Sequence, residues 1–169
     1  MAGLVGELGA LGTRAVVIVT AGLSAEQKQA ALDAARANTV RLLGPNCIGL
    51  LSPHIGLNAS FAHCDALAGD IAFVSQSGAL ATAVLDWTRS RGVGLSHLVS
   101  LGDHCDVDFG DLLDHLANDA RTRSILLYVE AIESPRKFMS AARAAARNKP
   151  VIVGEGRRAG NGGKAGAAH

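Results

Sequence analysis

The hydrophobic positions of this chain fall into two alternating patterns. Short apolar runs between polar, Gly or Pro residues predict buried strands, and apolar positions three or four residues apart predict helices. The expected strands are 15–19, 40–43, 71–75, 97–101, 124–129 and 151–153, and the expected helices are 25–37, 77–90, 109–117 and 135–148. Strands that alternate with helices in this way predict an α/β fold with a parallel sheet covered on both faces.

The second half of this pattern predicts a complete lobe, whereas the first half does not. Four strands and three intervening helices within 67–156 predict a flavodoxin-like, doubly wound parallel sheet, in which ligands gather at the carboxyl ends of the strands. The first predicted helix, which carries Leu4 and Val5, would follow a strand, so we expect the chain to be a fragment. The expected organisation is a partial lobe over 1–66, the full lobe, and a Gly/Ala-rich tail over 157–169.

Two helix starts carry local signals. Ser24 and Gln27 have the spacing of a capping box, in which each side chain bonds a backbone N–H of the other residue. Ser134 and Pro135 have the order of an N-cap followed by a first helical residue. Both positions therefore predict sharp helix boundaries.

Two further expectations concern packing. Residues 44–69 show no clear period and contain several glycines and a proline, which predicts a loop-rich connector between the lobes. On the predicted helix 77–90, Leu80, Val84 and Trp87 share one face. We expect that face, with Trp87, to lie in the core.

Composition narrows the class of partner. The 169 residues carry 16 basic and 15 acidic side chains, and only 4% of the residues are aromatic, so neither a nucleic-acid footprint nor a base-stacking surface is indicated. No apolar run has the length of a membrane span, and the first residues do not resemble a signal peptide. Three cysteines without paired spacing predict free thiols. We expect a cytoplasmic protein with a small-molecule partner.

The most informative segment runs from 70 to 78, where a buried strand meets a Ser/Gly turn that opens a helix. The first backbone N–H groups of a helix have no internal partner and carry the positive end of its dipole. A phosphoryl group could therefore dock against Ser75, Ser77 and the amide of Gly78. The alternative is that Ser75 or Ser77 only caps the helix.

Metal ligation is not expected. His63-Cys64-Asp65 and His104-Cys105-Asp106 are metal-capable tripeptides, but sequence neighbours rarely ligate one ion together and neither has zinc-type spacing. Asp106, Asp108 and Asp111 could suggest Mg²⁺, but caps and first-turn acids of helix 109–117 explain them better. The prediction is that the chain has no metal site of its own.

Five segments, taken in order, resemble one family. The chain is similar to the NDP-forming acyl-CoA synthetases, that is, to the α-chain of succinyl-CoA synthetase and above all to the version fused to a GNAT-type acetyltransferase in bacteria. The likeness covers nearly all of 14–153. The matching segments are Gly44-Pro45-Asn46-Cys47-Ile48-Gly49, Val74-Ser75-Gln76-Ser77-Gly78-Ala79-Leu80, Asp106-Val107-Asp108-Phe109-Gly110-Asp111-Leu112-Leu113, Leu127-Tyr128-Val129-Glu130 and Lys149-Pro150-Val151-Ile152-Val153.

The resemblance implies the α-part of a two-lobed ligase, with a Rossmann-like CoA-binding lobe before a succinyl-CoA-ligase-like flavodoxin lobe. Acyl-CoA and phosphate would give an acyl phosphate, a histidine would take the phosphoryl group, and an ATP-grasp partner would pass it to ADP. The implied cofactors are CoA and, through that missing partner domain or subunit, ADP or ATP with Mg²⁺. The chain alone is expected to be incomplete, and a homo-oligomer is possible.

The resemblance also implies roles for residues around the phosphoryl group. Ser75, Ser77 and Gly78 match the turn that receives it. Glu130 matches the carboxylate that orients the phosphorylated histidine, and His169 is the candidate for that histidine. From the residues alone, Glu130 could instead be a solvated strand-end carboxylate paired with a basic neighbour at 136 or 137, since such surface pairs are common.

A second set of roles concerns the acyl group. Gly44, Pro45, Asn46 and Cys47 match the family's loop at the acyl and CoA site, although the same residues could form only a tight turn. The whole chain has an alternative function of another class, a noncatalytic acyl-CoA-binding module that regulates an acetyltransferase. Phosphorylation of His169 would separate the two.

Overall fold

The structure, a computed structural model, describes residues 1–156. This range contains five helices and eight strands, and a short 3-10 turn lies at Pro53–Ile55. The helices are α1 Ala2–Ala10, α2 Ala25–Ala37, α3 Gly78–Ser90, α4 Phe109–Asn118 and α5 Pro135–Ala146. The strands are β1 Ala15–Val17, β2 Arg41–Leu43, β3 Gly49–Ser52, β4 Leu57–Ser60, β5 Ala68–Ser75, β6 Leu95–Ser100, β7 Ser124–Val129 and β8 Val151–Glu155.

The first part of the chain forms a small parallel pair, β1 with β2, packed against α1 and α2. Val5, Ala31 and Leu42 lie in its core, in which small alanine side chains let α2 approach the strands closely. The predicted capping box at Ser24 and Gln27 is confirmed, because both reciprocal hydrogen bonds are present. Local sequence therefore fixes the start of α2.

The larger sheet has six strands in the order β4-β3-β6-β5-β7-β8. The four strands from β6 to β8 are parallel, and the predicted doubly wound α/β class is confirmed. Helix α3 packs on one face through Ala81 and Leu85, and α4 and α5 pack on the other through Leu113 and Ala141. Hydrophobic burial on both faces explains why the central strands are almost continuously apolar.

The prediction of a loop-rich connector at 44–69 is wrong for its middle part. β3 and β4 pair antiparallel there, and β3 joins the large sheet beside β6, with Leu50 opposite Val99 and Leu51 opposite Leu98. These strands are short and interrupted by Pro and Gly, so their periodicity is weak. Pairing with a strand distant in sequence provides the burial that decides the structure.

The predicted buried face of α3 is also wrong by about one position. Trp87 is 56% exposed, and the buried positions are Ala81, Leu85 and Thr88. The apolar arc of this helix is wide, so the pattern allowed two faces, and the one with the small Ala81 permits closer packing on the sheet. Trp87 therefore contributes surface rather than core.

The last two helices follow the sequence more closely. The expected helix 109–117 is α4, on which Phe109, Leu113 and Leu116 are buried. Pro135 opens α5 as predicted, although the Ser134 side chain makes no capping hydrogen bond. Among the helices in residues 1–156, none combines the length and apolar character that a membrane crossing would need.

Candidate functional site

A cavity of about 730 Å³ opens at the carboxyl ends of the strands. The segments that follow β1, β2, β5, β6 and β7 all contribute to its wall, and Lys28 of α2 completes it. In doubly wound sheets the carboxyl ends of neighbouring parallel strands meet at one edge and leave a crevice for ligands. The position predicted for a ligand is thus the position of this cavity.

The turn between β5 and α3 forms one side of the cavity. Ser77 is the N-cap of α3, where its hydroxyl oxygen accepts a hydrogen bond from the N–H of Leu80 at 3.3 Å. Gly78 and Ala79 line the cavity, and their first-turn amides have no acceptor within the helix. Capping by Ser77 is confirmed, and it leaves these two amides at the cavity wall.

Ser75 lies behind this surface and does not line the cavity. It is fully buried, and its hydroxyl donates to the carbonyl oxygen of Ser77 at 2.8 Å. Gly78 packs tightly on the next loop, because a Cβ there would lie 3.1 Å from Ile48. Ser75 and Gly78 therefore hold the turn in place from behind and below.

The loop between β2 and β3 forms the opposite side. Gly44 has φ +96°, and a Cβ at this position would collide with the carbonyl oxygen of Ile18, so only glycine fits without strain. Asn46, also left-handed at φ +57°, lines the cavity and donates its side-chain amide to Asp103 at 3.2 Å. Backbone geometry thus places the Asn46 amide group at the wall.

Cys47, the next residue, lines the cavity but is almost completely buried. Its Sγ lies 3.4 Å from the carbonyl oxygen of Ile18. Burial raises the pKa of the Cys47 thiol to about 11, against smaller opposing effects of backbone hydrogen bonds. The thiol therefore stays protonated near neutral pH and is no nucleophile there.

Glu130 follows directly after β7 and lines the cavity. Gln76, from the turn before α3, positions it: the Gln76 Oε1 accepts hydrogen bonds from the backbone N–H groups of Glu130 at 2.6 Å and Ala131 at 3.0 Å. Of the basic neighbours considered for Glu130, Lys137 bonds Asp108 and Asp111 at 2.9 and 2.8 Å. The Gln76 side chain therefore connects the turn before α3 to the backbone that carries Glu130, the candidate orienting residue.

His104 is one of the cavity residues that the sequence interpretation missed. It lies in the loop after β6, only 7% exposed and with φ +39°. Its Nδ1 lies 3.4 Å from Gln76 Nε2 and 3.4 Å from the carbonyl oxygen of Gly102. Its place just beyond a parallel strand, like that of Glu130, was the signal that could have found it.

The charges around the cavity are unevenly distributed. Three carboxylates line it, those of Asp103, Glu130 and Glu133, against one ammonium group. That ammonium, on Lys28, forms an ion pair with Asp103 at 2.6 Å. Within residues 1–156 an anion would thus find its positive partner mainly in the first turn of α3.

Five of the nine predicted site residues line this cavity: Asn46, Cys47, Ser77, Gly78 and Glu130. Gly44, Pro45 and Ser75 lie behind the wall and shape its loops. His169 lies outside the described residues. The structure therefore brings the two predicted loops and the carboxylate to one place.

This fold and cleft define a doubly wound α/β lobe with a ligand site at the strand ends. Residues 68–169 match the family model described as the succinyl-CoA ligase like flavodoxin domain, and residues 1–53 match that of a CoA binding domain. The chain belongs to the family of succinyl-CoA ligase like flavodoxin domains. The resemblance stated from the sequence motifs is confirmed.

Individual relatives agree with this family. The chain is 40% identical to the acetate–CoA ligase [ADP-forming] I subunit alpha of Pyrococcus furiosus, covering 96% of this chain and 37% of that protein. It is 39% identical to the acetate–CoA ligase [ADP-forming] I of Archaeoglobus fulgidus, covering 96% of this chain and 25% of that one. The chain thus spans about a quarter to a little over a third of these relatives.

A solved structure gives the same picture. The dinucleotide forming acetyl-coenzyme A synthetase 1 of Ca. Korarchaeum cryptofilum, in complex with phosphate and ADP, superimposes with a TM-score of 0.87 at 35% identity. The match covers 90% of this chain and 34% of that one. The similarity therefore extends through nearly all of this chain but not through the whole of its relatives.

Proposed function

We propose that the chain is the α-part of an NDP-forming acyl-CoA synthetase that acts on acetate or a similar small acid. In the proposed reaction, acyl-CoA, phosphate and ADP are converted reversibly to carboxylate, CoA and ATP. The proposal is supported by the relatives above, which are ADP-forming acetate–CoA ligases. The proposal includes the division of the chain at 66/67 and 156/157. It also includes a cytoplasmic location, which the free cysteines support because disulfides are rare in the cytosol.

The observation that carries the proposal is the meeting of the α3 turn, the Asn46 loop and Glu130 around one cavity. In the first step, phosphate attacks the thioester carbonyl, and CoA leaves as its thiolate while an acyl phosphate forms. The amides of Gly78 and Ala79 would hold the phosphoryl oxygens. The Asn46 amide group would face the acyl end on the opposite wall.

In the second step, one imidazole nitrogen of His169 would attack the phosphorus. The bond between phosphorus and the acyl oxygen breaks, and the carboxylate leaves with the electron pair. Glu130 would accept a hydrogen bond from the other imidazole N–H and so fix the tautomer. Gln76 supports this role because its two hydrogen bonds hold the backbone from which Glu130 projects.

The third step would use a partner. An ATP-grasp domain or subunit would bring ADP or ATP with Mg²⁺ to the phosphorylated His169 and take or return its phosphoryl group. Alone, the chain would stop at the phosphorylated intermediate.

Phosphorylation of the chain tests the proposal directly. Incubation with acetyl-CoA and phosphate, or with ATP and an ATP-grasp partner, is expected to give an acid-labile, base-stable adduct at His169 by mass spectrometry. His169→Ala should abolish it. His104→Ala is the matched control, because His104 also lines the cavity but has no assigned phosphoryl role.

Two outcomes would contradict the proposal. An adduct that persists in His169→Ala but disappears in His104→Ala would show that His104, and not His169, carries the phosphoryl group. Acyl-CoA binding without any adduct, in the presence of the partner, would favour the noncatalytic regulatory module instead.

A further inference from the structure

We propose that His63, Cys64 and Asp86 form a surface site for a divalent transition metal of the Zn²⁺ class. The imidazole nitrogen, the thiol sulfur and a carboxylate oxygen of this triad all lie within 4.8 Å of one another. His63 Nε2 and Asp86 Oδ1 are already 2.6 Å apart. The triad combines two neighbouring residues of a loop with one residue of α3. The spacing of these residues in the sequence does not reveal that they meet.

The donor atoms determine which cation would bind. Nitrogen, sulfur and oxygen together suit Zn²⁺ or Co²⁺, whereas Mg²⁺ and Ca²⁺ prefer oxygen ligands. In a tetrahedral zinc site the ligand atoms are roughly 3.4 Å apart, as follows from metal–ligand bonds of about 2.1 Å. The side chains of His63 and Asp86 are 58% and 59% exposed, so small rotations can bring the donor atoms to this spacing, widening the 2.6 Å contact between His63 and Asp86 and shortening the longer separations. Water can take the fourth position.

The loop that carries His63 and Cys64 is anchored on both sides. Arg89, one turn after Asp86 on α3, donates to the backbone carbonyl of Asp65 at 2.8 Å. On the other side, Asn58 donates to the Asp65 carboxylate at 2.5 Å. These contacts occupy Asp65 and hold the loop against the helix, so Asp86 rather than the adjacent Asp65 completes the triad.

The triad is separate from the cavity. Phe61 and Thr82 line the cavity, and the triad lies beyond them, two residues along the loop and one turn along α3. None of its three residues has a role in the proposed synthetase reaction. A test of metal binding can therefore fail or succeed independently of that reaction.

Binding would be linked to protons. The metal requires a neutral His63 nitrogen and a Cys64 thiolate, so the thiol proton, and any proton on the imidazole, is released to solvent. Asp86, which is paired with His63, would pair with the metal instead. Affinity should accordingly rise with pH.

The experiment is a titration of the full chain with Co²⁺ and then Zn²⁺. We expect one Co²⁺ per chain, a near-ultraviolet charge-transfer band from thiolate coordination, and displacement of Co²⁺ by Zn²⁺. Cys64→Ser should remove that band, and His63→Ala or Asp86→Ala should weaken binding roughly tenfold or more, since each removes one of three ligands. Circular dichroism checks that each variant is folded.

Two matched controls make the result specific. Cys105→Ser changes another half-buried thiol, and Asp114→Asn changes an exposed carboxylate on α4, so both should leave metal affinity unchanged. The proposal is overturned if no thiolate band forms, or if the band survives Cys64→Ser and is lost in Cys105→Ser.

Discussion

Helices α3 and α4 begin in the same way but use their first turns differently. Both follow a parallel strand and start with a polar N-cap, Ser77 for α3 and Asp108 for α4. The first turn of α3 contains no acidic residue and faces the cavity. The positive end of its dipole is thus not matched by a side chain of that turn.

The first turn of α4 is filled with charge. Asp108 and Asp111 form a reciprocal capping box, and Lys137 of α5 bonds both carboxylates. Arg41 adds a contact to Asp111 at 3.2 Å. One helix start is therefore stabilised by its own acids and serves the fold, whereas the other remains suited to an external anion.

The largest expected effect comes from giving α3 the acid that α4 has. Ala79→Asp places a carboxylate in the first turn of α3, at the proposed phosphoryl position. Repulsion between the two anions should weaken phosphate binding roughly ten- to hundredfold, while helix stability stays equal or rises by about 0.3–1 kcal/mol. Isothermal titration and thermal unfolding measure the two effects.

Ala83→Asp is the matched control for this substitution. It adds the same charge on an exposed position of α3, one turn further from the cavity. If Ala83→Asp weakens phosphate binding as much as Ala79→Asp does, the loss comes from added negative charge in general, and the proposed site in the first turn of α3 is contradicted.

The second largest expected effect is a difference between the two N-caps in how much each contributes to the free energy of unfolding. Asp108→Ala removes a capping bond and a partner of Lys137, so the free energy of unfolding should fall by about 2 kcal/mol, near the top of the range for caps. Ser77→Ala removes a single bond of 3.3 Å and should cost about 0.5–1 kcal/mol. Chemical denaturation measures both, and equal losses would contradict the comparison.

The smallest expected effect is a dependence on pH. Burial opposes ionisation of Asp111, but hydrogen bonds from Lys137 and the Asp108 backbone outweigh it and keep the pKa of this carboxyl below its ordinary value. The resulting stabilisation is complete above that ordinary value, about 3.9, and is lost as the pH falls through the lower folded value. Denaturation midpoints between pH 6 and pH 2.5 should therefore fall less steeply in Asp111→Asn than in the unmodified chain.

Two controls accompany this measurement. Asp114→Asn, an exposed position on the same helix, should retain the original pH dependence, as should Ser77→Ala. An unchanged acid slope in Asp111→Asn would show that the α4 network does not act through this carboxylate.

Features written in local sequence were predictable. The capping box at Ser24, the strand and helix alternation, and the Ser77 turn depend on residues within a few positions of one another. The β3–β4 hairpin was not predictable, because it is held in the sheet by the pairing of β3 with β6, about 50 residues later. The buried face of α3 likewise depended on which face could pack closely on the sheet. Ala81 lies on that face, and Trp87 is exposed.

The candidate site divides along the same line. Asn46, Gly78 and Glu130 could be predicted because motifs and strand ends mark them. His104 was marked only by its place just beyond β6. Gln76 could not be predicted, since its importance lies in contacts with residues 28 and 54 positions later in the chain. Such contacts exist only after the strand ends have met.

The central claim is that the first turn of α3, unlike that of α4, binds a phosphoryl group. Titration of ¹⁵N-labelled chain with inorganic phosphate tests it most directly through the backbone amide shifts. The account predicts saturable shifts at Gly78 and Ala79 and none at Phe109 and Gly110. Unmoved α3 amides, or equal shifts at both helix starts, would contradict it.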